Sequence, residues 1–307
     1  SPLPHSDLPM SLLPFDQKEG YLWLDGNIVV WKDATIHPLT HGLHYASSVF
    51  EGVRIYNGKA FLLKEHIERL HQSAKILGFE ITYSTDDIIA ATHKLLAQEN
   101  IDVGYIRHFA WRGSERLRIY APDTSTRLGI AAWAFPTTLF SIETKKPLKL
   151  TSHITWRKPD PTTAPTVSKA ACLYPICTMS KHEAVLQGFD DALMLDYRGL
   201  VAESTASNVF LIMDGAVHTP TPDCFLNGIT RQTIIKLAKQ LNIEVVERHI
   251  KPEELAHTQE VFLTGTTCEI ESISQIDDRQ FKPFGPVTLR LIQAYRDFVT
   301  EQTMATP

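Results

Sequence analysis

The chain has 307 residues, of which 43% are hydrophobic and 21% are charged, and its formal net charge at pH 7 is −5. This length allows two domains with sizeable cores, and the composition is ordinary for a soluble globular protein. The 30 basic residues are scattered and no apolar run is long enough for a bilayer, so neither nucleic-acid binding nor a membrane-spanning segment is predicted. The four cysteines form no Cys-x-x-Cys pair, so no metal site is predicted and a reducing, cytoplasmic location is favoured.

The first part of the chain is predicted to be a mixed α/β unit, after a proline-rich leader at 1–16 that we expect to be mobile. Asp25-Gly26 and Asn57-Gly58 each lie between alternating apolar and polar residues, a pattern typical of β-hairpins. Gly78 follows a helical pattern where a C-terminal cap belongs. The predicted elements are hairpins at 21–31 and 53–63, helices at 64–77 and 86–99, and strands at 105–111 and 128–135.

The second part of the chain is predicted to be a larger α/β unit. Residues 137–147 are typical of an interdomain loop, which divides a smaller domain at 1–136 from a larger one at 148–307. The predicted strands are 148–154, 192–196, 209–213, 244–248, 261–263 and 270–276, and the predicted helices are 175–187, 231–241 and 286–301.

Lys169 is the first candidate for chemistry. It lies between small residues, Ser168 and Ala170, just before the predicted helix at 175–187. Small neighbours allow a flat ligand to approach the amine, and a desolvated lysine can be neutral and nucleophilic near pH 7. Most lysines are solvated surface charges, so Lys169 gains a chemical role only together with the residues that follow it.

Two downstream stretches could bind an anion. Thr230 precedes the helix predicted at 231–241, and a helix N-terminus presents free amides and the positive end of its dipole. Residues 264–267, Thr-Gly-Thr-Thr, follow a predicted strand and offer amides and hydroxyls in the same way. The alternatives are a plain helix cap at Thr230 and an ordinary turn at 264–267.

Glu203 and Arg69 each have a chemical and a structural interpretation. A carboxylate among small residues, as at Glu203, could keep a ring nitrogen protonated, which makes a pyridoxal ring an electron sink. The alternative is a solvated loop glutamate. Arg69 could clamp a phosphate or pair with Glu65 on a solvated helix face. His41 and His44 lack an acidic or cysteine neighbour, so we expect them to satisfy backbone groups in a turn.

These residues belong to a set of motifs that occur in a specific order. The set is Phe50-Glu51-Gly52-Val53-Arg54, Glu65-His66-x-x-Arg69-Leu70, Tyr105-Ile106-Arg107, Lys169, Glu203, Asn208, Gly228-Ile229-Thr230-Arg231 and Thr264-Gly265-Thr266-Thr267. It resembles class IV aminotransferases, the fold type IV pyridoxal-phosphate enzymes, over nearly the whole chain. The length and Tyr105-Ile106-Arg107 resemble the branched-chain amino acid aminotransferases most.

The resemblance implies an architecture and an assembly. The fold would be α/β of a mixed α+β type, with two mixed domains and pyridoxal 5′-phosphate at their interface. The larger, C-terminal domain would bind the cofactor. Because active sites of the family borrow residues from a neighbouring subunit, the enzyme would be at least a homodimer, and a hexamer is open.

The resemblance also implies a role for each matching residue. Lys169 would form a Schiff base with the cofactor and move a proton between the substrate Cα and the cofactor C4′. Glu203 would pair with the pyridine nitrogen, and Tyr174 with the ring's 3-oxygen. The remaining cofactor residues would be Arg69, Asn208, Ile229, Thr230, Gly265 and Thr266, mostly at the phosphate. The substrate residues would be Tyr45, Phe50 and Phe140 around the side chain, and Tyr105, Arg107, Thr266 and Thr267 at the carboxylate.

The sequence departs from the branched-chain pattern in several places. Ala171-Cys172-Leu173 stands where many members have Gly-Gly-Asn, and His108 stands where they have proline. Arg116 and Arg118 add positive charge to a loop that is apolar in the family and reaches the neighbouring subunit's pocket. They either face solvent or form a second carboxylate trap, which would change the substrate preference.

The sequence therefore predicts ping-pong transamination between L-leucine, L-isoleucine or L-valine and 2-oxoglutarate. Three alternatives remain open. A D-amino-acid or (R)-amine transaminase would differ in the stereochemistry of its donor. Aminodeoxychorismate lyase would release pyruvate without an amino acceptor. A catalytically silent pyridoxal-phosphate-binding protein would lose no turnover in Lys169→Ala.

Overall fold

The computed structural model describes residues 13–135 and 145–304. The first of these segments contains six strands and three helices: β1 (Tyr21–Leu24), β2 (Asn27–Val30), α1 (His41–Tyr45), β3 (Ser48–Tyr56), β4 (Lys59–Ala60), α2 (Leu63–Ile76), α3 (Thr85–Glu99), β5 (Gly104–Arg112) and β6 (Thr126–Ala134). The strands form one antiparallel sheet in the order β2-β1-β6-β5-β3-β4. Strands β3 and β5 thus lie side by side within this sheet.

Both predicted hairpins are confirmed, and their turns depend on left-handed backbone. The φ angle is +46° at Asp25 and +97° at Gly26, and it is +52° at Asn57 and +72° at Gly58. A two-residue type I′ turn requires positive φ at both central residues, which asparagine, aspartate and glycine tolerate best. The local sequence is therefore sufficient to place these turns.

Helices α2 and α3 pack against the first sheet through apolar faces. Ile67 and Leu70 of α2 and Ile88 and Leu95 of α3 are fully buried in one cluster with Val53 of β3. Residues spaced three, four or seven apart share a helix face, so burial of these positions follows from the sequence pattern. This packing holds α2 over β3, where both elements contribute polar side chains to the site described below.

The second segment forms a mixed sheet of ten strands flanked by three helices. The elements are β7 (Leu148–Thr151), α4 (Pro175–Leu186), β8 (Asp191–Ala192), β9 (Met194–Leu195), β10 (Val201–Glu203), β11 (Asn208–Met213), β12 (Ala216–Pro220), α5 (Ile229–Gln240), β13 (Val245–Arg248), β14 (Glu260–Gly265), β15 (Glu269–Ile276), β16 (Arg279–Gln280) and α6 (Pro286–Thr303). The main path is β13-β12-β11-β14-β15-β7-β8, with β10 joining β11 to β9 and with β16 beside β15.

The first sheet contacts the loop segment that carries the residue singled out by the sequence. The Phe50 amide donates to the Lys169 carbonyl at 3.1 Å, and Val49 and Ala170 form an isolated antiparallel bridge. The Lys169 amide donates to Ser73 Oγ of α2 at 2.9 Å. Bonds from the main chain to the first sheet and to α2 therefore fix the backbone on both sides of Lys169.

Some predicted elements need correction. Helix α5 begins at Ile229 with Gly228 as its N-cap residue, so the prediction that Thr230 caps this helix is wrong. The strand predicted at 148–154 ends at Thr151, and the one predicted at 192–196 is split into two short strands, β8 and β9. Strand β12 and the five-residue helix α1 were not predicted.

Within 13–135 and 145–304, none of the helices combines the length and apolar character that a membrane span requires.

Candidate active site

A cavity of about 820 Å³ is lined by residues from both sheets. The first sheet contributes Phe50, Tyr105 and Arg107 on the adjacent strands β3 and β5. In a strand, residues two apart point to the same face, and the register pairs Phe50 with Phe109 and Gly52 with Arg107. The second segment of the chain contributes Lys169, Glu203 at the end of β10, and residues 264–268 at the end of β14 and in the turn that follows it.

The amine of Lys169 lines this cavity, is partly buried and has an identified partner. Lys169 Nζ donates to the Tyr174 hydroxyl at 2.9 Å, five residues further along the chain. A short 3₁₀ turn, Ala171–Leu173, and the start of α4 at Pro175 place Tyr174 back over the lysine. Burial, followed by the charge of Arg69, lowers the pKa of Lys169 to about 8. A sizeable fraction of the amine is therefore unprotonated at mildly alkaline pH.

Glu203 ends strand β10 and is buried, so its interpretation as a solvated loop residue is wrong. Lys158 Nζ lies 2.9 Å from Glu203 Oε1, and Asn208 Nδ2 donates to Glu203 Oε2 at 3.2 Å. Burial raises the pKa of Glu203, while the charge of Lys158 acts in the opposite direction. Both carboxylate oxygens are thus held in place by a donor at the wall of the cavity.

Asn208 links Glu203 to the start of helix α5. Its Nδ2 also donates to the Leu226 carbonyl at 3.0 Å, and its Oδ1 accepts from the Gly228 amide at 3.2 Å. A Cβ atom at Gly228 would lie 2.3 Å from Asn208 Oδ1. Glycine is therefore required at this N-cap position because the asparagine side chain approaches the backbone directly.

Arg69 is held in the cavity wall by a buried carboxylate rather than by Glu65. Its Nε and Nη2 donate to Glu51 at 2.7 and 2.8 Å, which leaves Nη1 outside this bidentate pair. Burial alone would raise the pKa of Glu51, but Arg69 and His66 outweigh it and lower the value to about 2. Since an ionised carboxylate only accepts, His66 Nδ1 donates to Glu51 at 2.8 Å.

An anion could bind where the first turn of α5 faces residues 264–267. Ile229 and Thr230 line the cavity at the N-terminus of this twelve-residue helix, and the first amides of a helix have no intrahelical partners. Thr264 Oγ1 is buried and has no hydrogen-bond partner in the part of the chain that the structure describes. A Cβ at Gly265 would lie 3.0 Å from Ser207 Oγ and 3.1 Å from Cys268 Sγ.

The opposite side of the cavity combines aromatic rings with one cation. Arg107 Nε and Nη2 donate to the Tyr105 hydroxyl at 3.0 and 2.7 Å, and its guanidinium carbon lies 4.5 Å from the centre of the Phe50 ring. Such a wall accepts an apolar side chain beside a carboxylate.

The structure brings most of the predicted site residues together, with two exceptions. The cavity is lined by Phe50, Arg69, Tyr105, Arg107, Lys169, Tyr174, Glu203, Asn208, Ile229, Thr230, Gly265, Thr266 and Thr267. Tyr45 lies at the end of α1, outside this lining, and its ring packs on His41 with centroids 4.7 Å apart. Phe140 lies outside the described residues.

The charged loop and the two histidines are not part of the lining of this cavity. Arg116 Nε donates to Asp123 at 2.9 Å, and its side chain is half exposed. Arg118 is exposed. His41 bonds Ser47 Oγ and the Arg118 carbonyl, and His44 bonds the Pro38 carbonyl. The histidines thus mainly satisfy backbone groups, as expected.

A model of the amino-transferase class IV family matches residues 48–276. The chain belongs to this family. It is 46% identical over 269 residues to a probable branched-chain-amino-acid aminotransferase of Rickettsia felis, an alignment that covers 87% of this chain and 91% of the relative.

Two solved structures are similar over almost their full length. The branched-chain amino acid aminotransferase of Escherichia coli has a TM-score of 0.88 at 35% identity, covering 94% of this chain and 97% of its own. An aminotransferase from Brucella abortus bound to the cofactor PLP has a TM-score of 0.82 at 31% identity, covering 92% of this chain and 99% of its own. Together with the family match, these similarities confirm the mixed α/β fold of type IV that the sequence predicts.

Aminotransferases of class IV use pyridoxal 5′-phosphate, and the cavity fits that group. It offers a partly buried amine at Lys169, a buried carboxylate at Glu203 and a helix N-terminus at Ile229. The unpartnered Thr264 hydroxyl and the narrow space at Gly228 indicate a site shaped for a phosphorylated ligand close to the backbone.

Sequence reasoning missed the residues that support this site. Glu51 orients Arg69, Lys158 pairs with Glu203, and Ser73 Oγ accepts from the Lys169 amide. Each pair joins residues that are distant along the chain. The only sequence signal was the position of Glu51 in the Phe-Glu-Gly-Val-Arg motif, which gave no partner.

Proposed function

We propose that this aminotransferase transfers the amino group of L-leucine, L-isoleucine or L-valine to 2-oxoglutarate with pyridoxal 5′-phosphate bound at Lys169. The observation that carries the proposal is the placement of Lys169, Tyr174 and Glu203 in one cavity walled by Phe50 and Arg107. The relatives named above as branched-chain amino acid aminotransferases support the substrate class.

The cofactor residues have distinct tasks in this proposal. When bound, pyridoxal 5′-phosphate supplies an aldehyde that reacts with amines and a protonated ring that withdraws electrons from the substrate Cα. Glu203 would accept a hydrogen bond from the protonated ring nitrogen, and the Tyr174 hydroxyl would pair with the ring's 3-oxygen. The phosphate would be held by Nη1 of Arg69, the amides of Ile229 and Thr230 and the turn at Gly265-Thr266, while Asn208 fixes Glu203.

Lys169 acts as nucleophile and as general base. Its amine is partly unprotonated because the pKa is lowered to about 8, and Tyr174 orients it through the 2.9 Å hydrogen bond. When Nζ is not bonded to the cofactor, the amine would accept the proton removed from the substrate Cα. The backbone bonds to Phe50 and Ser73 let the amine move without moving the loop.

Substrate selection lies on the side of the cavity formed by β3 and β5. Phe50 and Tyr105 provide apolar contact area for a branched side chain. Arg107 and the Thr266 and Thr267 amides bind carboxylates, including the second carboxylate of 2-oxoglutarate. Phe140 remains a candidate for the same pocket, whereas Tyr45 lies outside the lining of the cavity.

The proposal includes a homodimer, two domains divided between 136 and 148, and a cytoplasmic location. Support for the dimer comes from an exposed apolar patch, formed by Leu43, Tyr45, Leu117, Ile119 and Tyr120. Their exposed fractions are 64%, 43%, 43%, 81% and 74%. His41 joins the two halves of this patch, since its Nε2 donates to the Arg118 carbonyl at 2.9 Å. Contiguous exposed apolar surface marks an interaction site.

The four free cysteines support a reducing compartment.

A donor panel tests the substrate class. Purified enzyme with pyridoxal 5′-phosphate and 2-oxoglutarate is given L-leucine, L-valine, D-alanine, D-glutamate or an (R)-arylamine, and transfer of the amino group to the acceptor is measured. We expect the branched L-amino acids to dominate. Dominance of a D-donor or the amine would instead assign the D-amino-acid or amine transaminase, and pyruvate formed from aminodeoxychorismate without an acceptor would assign the lyase.

Lys169→Ala tests the chemistry itself. We expect the variant to keep its circular dichroism spectrum and to lose turnover by about 10⁴-fold. The matched control is Lys181→Ala, because Lys181 is a half-exposed lysine on α4, 3.8 Å from Asp191. Near-native turnover in Lys169→Ala would remove the lysine from the mechanism and leave a silent cofactor-binding protein.

A further inference from the structure

Lys158 is a buried lysine whose charged end faces the cavity wall. The side chains of Lys158 and Glu203 are only 7% and 11% exposed, and Nζ lies 2.9 Å from Oε1. The second contact of Nζ is Cys177 Sγ at 3.3 Å. Burial raises the pKa of Cys177, so the thiol is neutral. Among the described residues, Glu203 is therefore the ionic partner of Lys158.

The backbone of Lys158 is fixed independently of this pair. Its amide donates to the Leu195 carbonyl at 2.9 Å, and its carbonyl accepts from the Tyr197 amide at 2.9 Å. The residue forms a parallel bridge with Asp196. The ammonium group is thus presented to Glu203 from a rigid position.

We propose that Lys158 is a positioning residue whose permanent charge keeps Glu203 ionised, so that the ring nitrogen of the bound cofactor retains its proton. The inference rests on the proposed function, in which Glu203 faces that nitrogen. A buried carboxylate beside a protonated pyridine can take the proton and form a neutral pair, which a low-dielectric site favours. A third, cationic partner reverses this preference because it stabilises the carboxylate and repels the proton.

Other charges around Glu203 do not replace this contribution. Lys169 also favours the carboxylate, and Asp191 disfavours it, but both act less strongly than Lys158. Lys169 must in addition change its bonding and its charge during the reaction, whereas Lys158 takes no part in that exchange and keeps its charge. Asn208 donates to Glu203 without a charge.

The test measures directly whether the ring nitrogen of the bound cofactor carries a proton. Wild type, Lys158→Met and Lys158→Arg are loaded with pyridoxal 5′-phosphate labelled with ¹⁵N in the ring. The ¹⁵N chemical shift is recorded from about pH 6 to about pH 9, a range in which carboxylates are ordinarily ionised. We expect a pyridinium shift in wild type and in Lys158→Arg. In Lys158→Met we expect a shift towards that of unprotonated pyridine, together with about a tenfold or larger loss of turnover.

Further measurements distinguish the effect of the Lys158 charge from an effect on folding and from a failure of the proposed function. Lys158→Gln removes the charge but keeps a hydrogen-bond donor, so it replaces Lys158→Met if that variant does not fold. The ¹⁵N shift should again move towards that of unprotonated pyridine. Lys181→Met removes a lysine that pairs with Asp191 outside the cavity and should change nothing. A pyridinium shift in both uncharged variants across the pH range would overturn the inference. Absence of covalent cofactor attachment in wild type would instead overturn the proposed function.

Discussion

The chemistry of Lys169 depends on a balance of charges around its amine. Arg69 supplies a nearby cation that disfavours a second positive charge, and Glu51 and Glu203 act in the opposite direction. Burial is the largest effect, since a desolvated ammonium is costly. A free lysine has a pKa of about 10.4, so the shift to about 8 increases the unprotonated fraction at neutral pH by about two orders of magnitude.

The lowered pKa predicts a pH profile for cofactor attachment. Only the unprotonated amine attacks an aldehyde, so the attachment rate of pyridoxal 5′-phosphate to cofactor-free protein should rise with pH. The midpoint should lie near a pH of about 8, followed by a plateau, as measured by stopped-flow absorbance. Lys169→Ala reports any attachment at other lysines. A rate that still increases up to about pH 10, the range of an ordinary lysine, would contradict the shifted pKa.

The candidate residues with the most specific chemistry could be predicted from the sequence, but their partners could not. Lys169, Glu203 and Arg69 belong to short motifs with fixed order. Lys158 pairs with Glu203 only because the segment that follows β7 folds back on β9, where the Lys158 amide bonds the Leu195 carbonyl. Such pairings depend on tertiary structure, which local patterns do not encode.

At the scale of elements, helix α5 is positioned by one glycine. Gly228 has φ of −58° and ψ of 145°, angles that alanine also adopts, so glycine is needed for space and not for backbone freedom. The atom it avoids is Asn208 Oδ1, and Asn208 is itself held by Leu226 and Glu203. A displacement of the N-terminus of α5 should therefore also displace the carboxylate of Glu203.

Gly228→Ala should weaken cofactor binding. The added methyl displaces Asn208, which shifts both the α5 amides and Glu203, so we expect the dissociation constant for pyridoxal 5′-phosphate to rise about tenfold or more. The measurement is a fluorescence titration of cofactor-free protein.

A substitution at a second glycine serves as a control that distinguishes an effect on cofactor binding from an effect on protein stability. Gly215→Ala meets no atom within 4 Å but has φ of +79°, so it should cost about 1–2 kcal/mol of unfolding free energy and leave cofactor affinity unchanged. Native affinity in Gly228→Ala would mean that the asparagine relaxes without affecting the site.

Prediction of elements succeeded where the signal is local and failed where it is not. The turns at Asp25-Gly26 and Asn57-Gly58 specify their hairpins by conformation alone. Strand β12 contains His218 and Thr219 and ends at Pro220, so it lacks an alternating pattern and is held by β11 and β13. Helix α1 is too short to show a periodicity.

At the scale of the whole molecule, the apolar patch contains large hydrophobic side chains that are exposed to water, a feature typical of interaction surfaces. Ile119 and Tyr120 extend from the connection between β5 and β6, and Leu43 extends from α1. A second copy that covered this surface would remove the three side chains from water, which supplies the driving force for association.

Ile119→Asp should therefore shift the protein from dimer to monomer. Burying a carboxylate in an apolar interface is costly, so we expect about half the wild-type mass by light scattering after size exclusion, together with loss of turnover. Leu289→Asp makes the same chemical change on an exposed residue of α6 and should keep the wild-type mass. A monomeric wild type would refute the proposed assembly.

The contact between the first sheet and the segment that carries Lys169 has a consequence for recombination among relatives. This contact consists of main-chain hydrogen bonds, from the Phe50 amide and in the Val49–Ala170 bridge. Main-chain groups do not change when side chains are substituted. A chimaera that exchanges everything before residue 145 between two family members should therefore keep the lysine in register. Two side-chain hydrogen bonds also hold this junction, from the Lys169 amide to Ser73 Oγ and from Ser168 Oγ to the Ser73 carbonyl, so such a chimaera should keep both serines.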